Sequence, residues 1–271
     1  MSERILNRRR SPVHRRRRRP RFSYATLTIV TAVLGLSAIG WVLTWDEPAP
    51  PSAETASAAA APSVPERPPT ARFATVGGID LHLPIDPSAI TALAFHQASG
   101  EDAQTMTSLV PDMPADEAAP EMVAARMAEA AADGDIWGGV CLRLWRSGRG
   151  GEPDTAADVG AAPGTDVYAP VTGTVVEVRP YLLYEKHDDI QIHIRPDGAE
   201  DLDVVLIHVT DASVEAGDRV AGGVTRIAAV RQMSAVIESQ LAGYTGDGGD
   251  HVHMQIHTAP GPGELGAAGG S

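Results

Sequence analysis

The stretch from Gly246 to His257 constrains the fold more than any other part of the sequence. It reads Gly-Asp-Gly-Gly-Asp-His-Val-His-Met-Gln-Ile-His, and from His251 onward polar and apolar residues alternate strictly. Such alternation predicts a β-strand with its apolar residues toward a core and its histidines on the opposite face. Residues two apart on a strand lie about 6.6 Å apart. His251 and His253 could therefore serve one site, one binding a metal and the other meeting the substrate.

Short apolar segments elsewhere predict an all-β core. Gly, Pro and Asp separate them at intervals of about ten residues, which is typical of a β-sandwich or barrel. The predicted strands are 140–145, 167–169, 174–178, 190–194, 204–209 and 224–230, with further strands or strand–turn pieces in 79–85 and 89–96. Residues 114–133 are acidic and rich in alanine, and Met122, Val123, Met127 and Ala130 have helical spacing. We interpret them as a peripheral helix.

The N-terminal region predicts a membrane anchor. Residues 24–45 carry no charge and would span roughly 33 Å as a helix, which is enough to cross a bilayer. Tyr24, Trp41 and Trp45 lie at its ends, where interfacial aromatic residues are common. Residues 1–23 form a basic arm that places the N-terminus in the cytoplasm by the positive-inside rule. A cleaved signal peptide is the competing interpretation, but no small-X-small cleavage site follows Trp45.

The remaining boundaries follow from composition. Residues 46–71 are rich in Pro and Ala and predict a disordered linker. Residues 72–139 hold the first strands of the folded part and the acidic helical insertion, 140–258 form the main domain, and 259–271 are a flexible tail. We therefore expect a single-pass membrane protein with its C-terminal domain outside the cytoplasm.

The distribution of charge and the single cysteine exclude several functions. Residues 1–22 hold ten arginines and one acidic residue, whereas the rest of the chain holds 12 basic and 34 acidic residues. The main domain therefore lacks the basic surface that binds nucleic acid. With Cys141 as the one cysteine, neither an intrachain disulfide nor a cysteine-based zinc site can form.

Five motifs occur in a fixed order along the chain. They are Asp154-X-X-X-Asp158, Pro163-Gly-Thr-Asp-Val-Tyr-Ala-Pro, Val171-Thr-Gly-Thr-Val-Val, Val205-Leu-Ile-His208 with Val214-Glu-Ala-Gly-Asp-Arg-Val, and His251-Val-His253. This order resembles the lysostaphin/LytM-type zinc metallopeptidases, which cut peptide cross-links of bacterial peptidoglycan, and the resemblance covers about residues 140–258. The resemblance implies a LytM-like β-sandwich or barrel and a catalytic zinc ion.

The same resemblance assigns roles to individual residues. It implies that Asp158 and His253 are zinc ligands and that His208 and His251 flank the reacting water. In the family a further zinc ligand, a histidine, lies four residues before the aspartate ligand. This chain has Asp154 at that position, four residues before Asp158. Because a carboxylate can also bind zinc, we predict a metal site of Asp154, Asp158 and His253. A second carboxylate would, however, oppose lowering of the pKa of bound water.

The other histidines have simpler interpretations. We interpret His82 and His96 as structural or surface residues, although the sequence leaves open whether His96 supplies the missing ligand. His193 points to the polar side of its strand, and His257 lies two pleats beyond His253, so we place both outside the site.

Three functions fit these observations. The first is a membrane-anchored zinc endopeptidase acting on peptidoglycan outside the cytoplasm. The second is a degenerate LytM-like module that binds peptidoglycan or regulates another cell-wall enzyme, as Asp154 suggests. The third is an adaptor subunit of an export pump, because 169–176 and 214–224 resemble the halves of a lipoyl-type barrel. The 43 residues between Gly173 and Gly217 lack the heptads of such an adaptor's hairpin.

Overall fold

The computed structural model describes residues 69–98, 102–114, 116–130, 135–146 and 148–259. These residues contain one α-helix, α1 (Pro120–Glu129), and fourteen β-strands. The strands are β1 (Arg72–Val76), β2 (Ile79–His82), β3 (Ala92–His96), β4 (Thr107–Ser108), β5 (Asp112–Met113), β6 (Cys141–Arg143), β7 (Ala156–Gly160), β8 (Asp166–Tyr168), β9 (Gly173–Leu183), β10 (His187–Pro196), β11 (Leu202–Thr210), β12 (Arg219–Val220), β13 (Arg226–Val230) and β14 (His251–Thr258).

Most strands belong to one large sheet. Its order is β12-β9-β10-β11-β14-β7-β3-β6-β5, and β13 joins it by pairing with β11 and with β8. All neighbours pair antiparallel except β3 with β6 and β5 with β6, which are parallel. The C-terminal strand β14 therefore lies in the middle of the sheet, between β11 and β7.

The alternation of the sequence determines which face of this sheet is apolar. In β10, Ile192 and Ile194 enter the core, whereas Gln191 and His193 lie on the other face, as expected for a strand of period two. In β14, Val252, Met254 and Ile256 are all fully buried in the core, as the sequence analysis predicted.

Smaller elements cover the apolar face. A second sheet of order β2-β1-β4 packs there, with the rings of Phe73 and Phe95 6.0 Å apart. Helix α1 adds Val123 and Met127 to the same core, while Met122 on its other side is 48% exposed. The polar face of the large sheet is left to carry the candidate site.

The predicted all-β core with one peripheral helix is confirmed. The helix is shorter than the acidic segment 114–133 from which it was predicted. Strand β3 lies in the large sheet between β7 and β6, so the part of the chain before residue 140 contributes directly to it. Strand β7 was not predicted, because Ala156-Ala-Asp-Val-Gly160 contains a single β-branched residue.

No helix in the part of the chain that the structure describes is long and apolar enough to span a membrane. The predicted anchor at 24–45, the basic arm, most of the linker and residues 260–271 lie outside the described residues. Those assignments therefore remain predictions.

Candidate metal centre and its surrounding histidines

Two neighbouring strands bring a carboxylate and an imidazole together. Asp158 of β7 lies directly opposite His253 of β14 in the antiparallel ladder. Directly opposite side chains on one face lie close enough to interact, and His253 Nδ1 donates a hydrogen bond to Asp158 Oδ1 at 2.8 Å. Both residues are more than nine-tenths buried. The structure thus places two of the three predicted metal ligands side by side.

The third member of this group is His96, which comes from β3 on the other side of β7. His96 is diagonal to Asp158 across the strand pair, and its Nε2 lies 3.1 Å from Asp158 Oδ1. Its ring lies 5.2 Å from that of His253, centroid to centroid. Potential ligand atoms of His96, Asp158 and His253 all lie within 4.8 Å of one another. We call these three residues the ligand group. A surface position for His96 is wrong, because the side chain is buried.

Asp154 lies outside the ligand group. It precedes β7 in a turn, with a positive φ of 64°. Its carboxylate pairs with Arg143 Nη1, and its backbone carbonyl accepts a hydrogen bond from Met106 N. The left-handed turn directs the carboxylate to Arg143 rather than along the polar face. In the described residues His96, and not Asp154, lies with Asp158 and His253 in a group that could hold a metal ion.

The two predicted catalytic histidines lie beside the ligand group. The His208 ring is 5.2 Å from that of His251 and 5.8 Å from that of His253. His251 Nδ1 donates to Gly249 O at 2.8 Å, and its Nε2 lies 3.7 Å from Asp158 Oδ1. Strict alternation would have directed His208 to the core with Leu206. Its positive φ of 64° turns the ring to the histidine face instead.

The electrostatics of the ligand group and the neighbouring His251 favour binding of a cation. Burial has the largest effect on Asp158 and would raise its pKa, but the imidazoles of His96, His251 and His253 outweigh it and hold that pKa well below the usual range. Burial lowers the pKa of His253 from 6.5 to about 3, and it also lowers the pKa of His251. At neutral pH the carboxylate is therefore ionised while both imidazoles are neutral. Asp158 and His253 are thus in the protonation states that bind a metal ion.

One positive charge already contacts the ligand group. Arg146, in the loop after β6, donates from Nη2 to Asp158 Oδ2 at 2.8 Å, and the same nitrogen lies 3.3 Å from His96 Nε2. Sequence reasoning assigned no role to this residue. The signal available was the basic, glycine-rich character of the segment 146–151.

A second carboxylate, also missed by sequence reasoning, holds His208. Asp189 Oδ2 accepts hydrogen bonds from His208 Nδ1 and from the Tyr181 hydroxyl, each at 2.8 Å. Burial would raise the pKa of Asp189, but these donors outweigh it and lower the pKa below the ordinary value. The sequence predicts a strand over 190–194 only, and Glu185-Lys-His-Asp-Asp precedes it. Because the last three residues of this segment belong to β10, Asp189 lies across from Tyr181 of β9.

Three further histidines have polar partners of their own. His193 Nδ1 donates to Asp203 Oδ2 at 2.8 Å, and His257 Nδ1 donates to Asp102 Oδ1 at 3.0 Å. His82 Nδ1 lies 2.6 Å from Thr70 O, on the small sheet.

No family model and no curated protein matches the chain. Among solved structures, the catalytic domain of the prophage-encoded M23 protein EnpA from Enterococcus faecalis is 21% identical over 44% of this chain and 78% of its own, with a TM-score of 0.31. Lysostaphin is 21% identical over 41% of this chain and 39% of its own, with a TM-score of 0.29. A zinc-containing peptidase from Vibrio cholerae is 21% identical over 41% of this chain and 29% of its own, with a TM-score of 0.27.

Two of these structures are an M23 protein and lysostaphin, the kind of protein that the sequence motifs resemble. These likenesses are distant, and the chain spans well under two thirds of lysostaphin and of the Vibrio peptidase. The functional proposal therefore rests on the geometry of the site and the order of the sequence motifs, and not on these likenesses.

The ligand group fits zinc in its chemistry. Two imidazoles and one carboxylate form a donor set that catalytic zinc uses, leaving one position open. All three side chains are buried with their potential ligand atoms converging. His96, Asp158 and His253 are therefore the residues that would hold the ion.

Proposed function

We propose that the chain is a membrane-anchored, zinc-dependent endopeptidase that cuts peptide cross-links of peptidoglycan outside the cytoplasm. The observation that carries this proposal is the convergence of His96, Asp158 and His253 on the polar face of the sheet. His96 supplies the imidazole that the sequence lacks at position 154, so the ligand group has the composition of a catalytic zinc site. The order of motifs supports peptidoglycan as the substrate.

The two neighbouring histidines supply proton transfer. The Nδ1–H of His251 is held by Gly249 O, and that of His208 by Asp189, which leaves both Nε2 atoms free to accept a proton. One imidazole can take a proton from the attacking water, and an imidazolium can return it to the leaving amine. Zinc, when bound, would supply Lewis-acid polarisation of the peptide carbonyl.

The metal site is tested by zinc analysis of the full chain, purified without a histidine tag. We expect about one zinc per chain in the unaltered protein, as for a site with three protein ligands. His96→Ala should lose the metal, whereas Asp154→Ala, the matched control, should retain it. The protein that holds zinc should release peptides from purified peptidoglycan. Absence of zinc from the unaltered protein, even after zinc is supplied at neutral pH, would contradict the proposal.

A second candidate function is a metal-free module that binds peptidoglycan. Arg146 favours it, because its guanidinium lies 2.8 Å from Asp158 Oδ2 and 3.3 Å from His96 Nε2 and can supply the positive charge of a metal. Under this proposal Arg146→Ala gains zinc that the unaltered chain does not bind, while Arg149→Ala does not. The unaltered protein should then co-sediment with insoluble peptidoglycan without cleaving it. Equal zinc content in the unaltered chain and Arg146→Ala would contradict this second function.

Membrane anchoring is a separate part of the proposal, supported by the length of the uncharged segment 24–45 and by the ten arginines before it. Protease added to intact spheroplasts should degrade the C-terminal domain and leave the basic arm protected. Recovery of the full chain in the soluble cytosolic fraction would contradict the anchor.

A further inference from the structure

The carboxylate of Asp189 accepts hydrogen bonds from three residues, His208, Tyr181 and Ile190. Its Oδ2 accepts from His208 Nδ1 and from the Tyr181 hydroxyl, each at 2.8 Å, and from the backbone N–H of His208 at 3.2 Å. Its Oδ1 accepts from the backbone N–H of Ile190 at 2.8 Å. The side chain is fully buried, and Arg231 Nη1 lies 3.8 Å away. Such a fully bonded carboxylate has little freedom to reorient.

This carboxylate determines the tautomer of His208. An ionised carboxylate only accepts hydrogen bonds, so His208 must carry a proton on Nδ1 when the 2.8 Å bond is made. In the neutral ring, Nε2 is then the acceptor. The ring lies edge-on to that of His251, 5.2 Å away at an interplanar angle of 87°. Asp189 thus leaves Nε2, the ring nitrogen that it does not contact, as the basic nitrogen of His208.

The backbone conformation of His208 also depends on Asp189. A φ of 64° is uncommon for a residue other than glycine and costs free energy unless its surroundings enforce it. Asp189 Oδ2 accepts from both the ring and the backbone N–H of His208. The carboxylate therefore stabilises the conformation that turns the ring from the core side to the histidine face.

We propose that Asp189 is a positioning residue, which holds His208 in the Nδ1–H tautomer and left-handed conformation needed for its Nε2 to accept a proton during peptide cleavage. Tyr181 assists by donating to the same oxygen. The inference rests on the proposed peptidase function, although the tautomer of His208 can be measured without activity. The lowered pKa of Asp189, from donors that outweigh its burial, agrees with an ionised carboxylate.

The test compares Asp189→Asn with Asp203→Asn in the full chain. Asp203 is the matched control, because it holds His193 with the same 2.8 Å bond to Nδ1, and His193 Nε2 faces Gln191 and Glu177 rather than the ligand group. Nitrogen-15 NMR of the imidazole rings reports the tautomer, and hydrolysis of peptidoglycan peptides gives kcat and KM. The single amide oxygen of Asn cannot replace both carboxylate oxygens.

We expect His208 to be the Nδ1–H tautomer in the unaltered protein and a mixture of tautomers in Asp189→Asn. In that variant kcat should fall by at least about 10-fold, with a smaller change in KM, because general-base catalysis typically contributes more than this. Asp203→Asn should leave both the tautomer of His208 and kcat unchanged. An unchanged His208 tautomer in Asp189→Asn would overturn the proposal.

Tyr181→Phe provides a second variant that removes one hydroxyl and no charge. It should lower kcat in the same direction as Asp189→Asn, but less. If Asp189→Asn does not fold, an unchanged tautomer and an unchanged kcat in Tyr181→Phe overturn the proposal. If the unaltered chain has no peptidase activity, the proposed function fails, while the NMR result still decides whether Asp189 positions His208.

Discussion

Gly160, the last residue of β7, lies close to its neighbours. A Cβ at this position would lie 2.7 Å from Thr91 Oγ1, 2.9 Å from Leu241 Cδ2 and 3.3 Å from Ala92 N. Because a backbone atom is among these neighbours, the side chains cannot relieve the whole overlap by rotating. Gly160→Ala should therefore lower the free energy of unfolding by about 1–3 kcal/mol, as overpacking of a core does.

Urea unfolding followed by tryptophan fluorescence measures this loss. Gly243→Ala is the matched control, because a Cβ there meets no atom within 4 Å and the residue has no positive φ. Equal stability of the two variants would show that β7 and β3 can separate without cost.

The residues of the site differ in how far the sequence could reveal them. His253 and Asp158 are marked by motifs, and the structure brings them together. His96 and Asp189 come from other strands and carry no motif of their own. Their contribution depends on which strands become neighbours and on the register between them. Asp154 keeps the spacing of a ligand, but the conformation of its turn directs it to Arg143.

At the scale of elements, β14 links the site to the core. His253 of this strand belongs to the ligand group and His251 lies beside it. Met254, on the opposite face of the strand, is fully buried between β11 and β7. Met254→Ala should therefore lower the free energy of unfolding by about 2–5 kcal/mol, the usual cost of truncating a core methionine. Met122→Ala is the matched control, since Met122 is 48% exposed and surface substitutions usually change stability by less than about 0.5 kcal/mol.

Urea unfolding of the two methionine variants measures this difference. Similar losses in both would mean that β14 does not form the centre of the core.

Strand β14 could be predicted from the sequence because polar and apolar residues alternate over seven residues, from His251 to His257. Strand β7 could not, although it lies beside β14 and carries Asp158. Its side chains are small and one of them is charged, so local preference gives no strand signal. Pairing with β14 on one side and β3 on the other makes it a strand. Sequence patterns thus predicted β14 and missed its neighbour β7, which carries Asp158.

At the scale of the whole molecule, the position of the first strands could not be predicted from composition. The sequence changes character near residue 72, which marks the start of the folded part. Nothing local to the segment 89–96 indicates that it will pair with β7, some sixty residues later. The sheet therefore unites sequence regions that composition separates, and this long-range pairing places His96 beside Asp158.

The buried histidines make the stability of the whole domain depend on pH. In the metal-free protein, burial lowers the pKa of His253 to about 3 and lowers that of His251 below 6.5. An unfolded histidine has a pKa near 6.5. Below this pH the unfolded chain binds protons that the folded chain does not, so stability is present above pH 6.5 and is lost as the pH falls. Each histidine should contribute up to about 1.4 kcal/mol per pH unit.

The ionised Asp158 acts in the same direction at lower pH. Because the pKa of Asp158 in the folded protein lies well below 3.8, its contribution to stability is present above that pH and is lost as the pH falls further.

Urea unfolding in the presence of a chelator should show a free energy of unfolding that falls steadily from pH 7 to pH 5, the range in which the histidines act. His253→Gln should reduce the slope of the free energy of unfolding against pH by up to about 1.4 kcal/mol per pH unit, the contribution of one histidine. His187→Gln should leave the slope unchanged, because His187 lies at the start of β10 and outside the ligand group. An identical slope in His253→Gln and the unaltered protein would mean that His253 is not buried as a neutral imidazole.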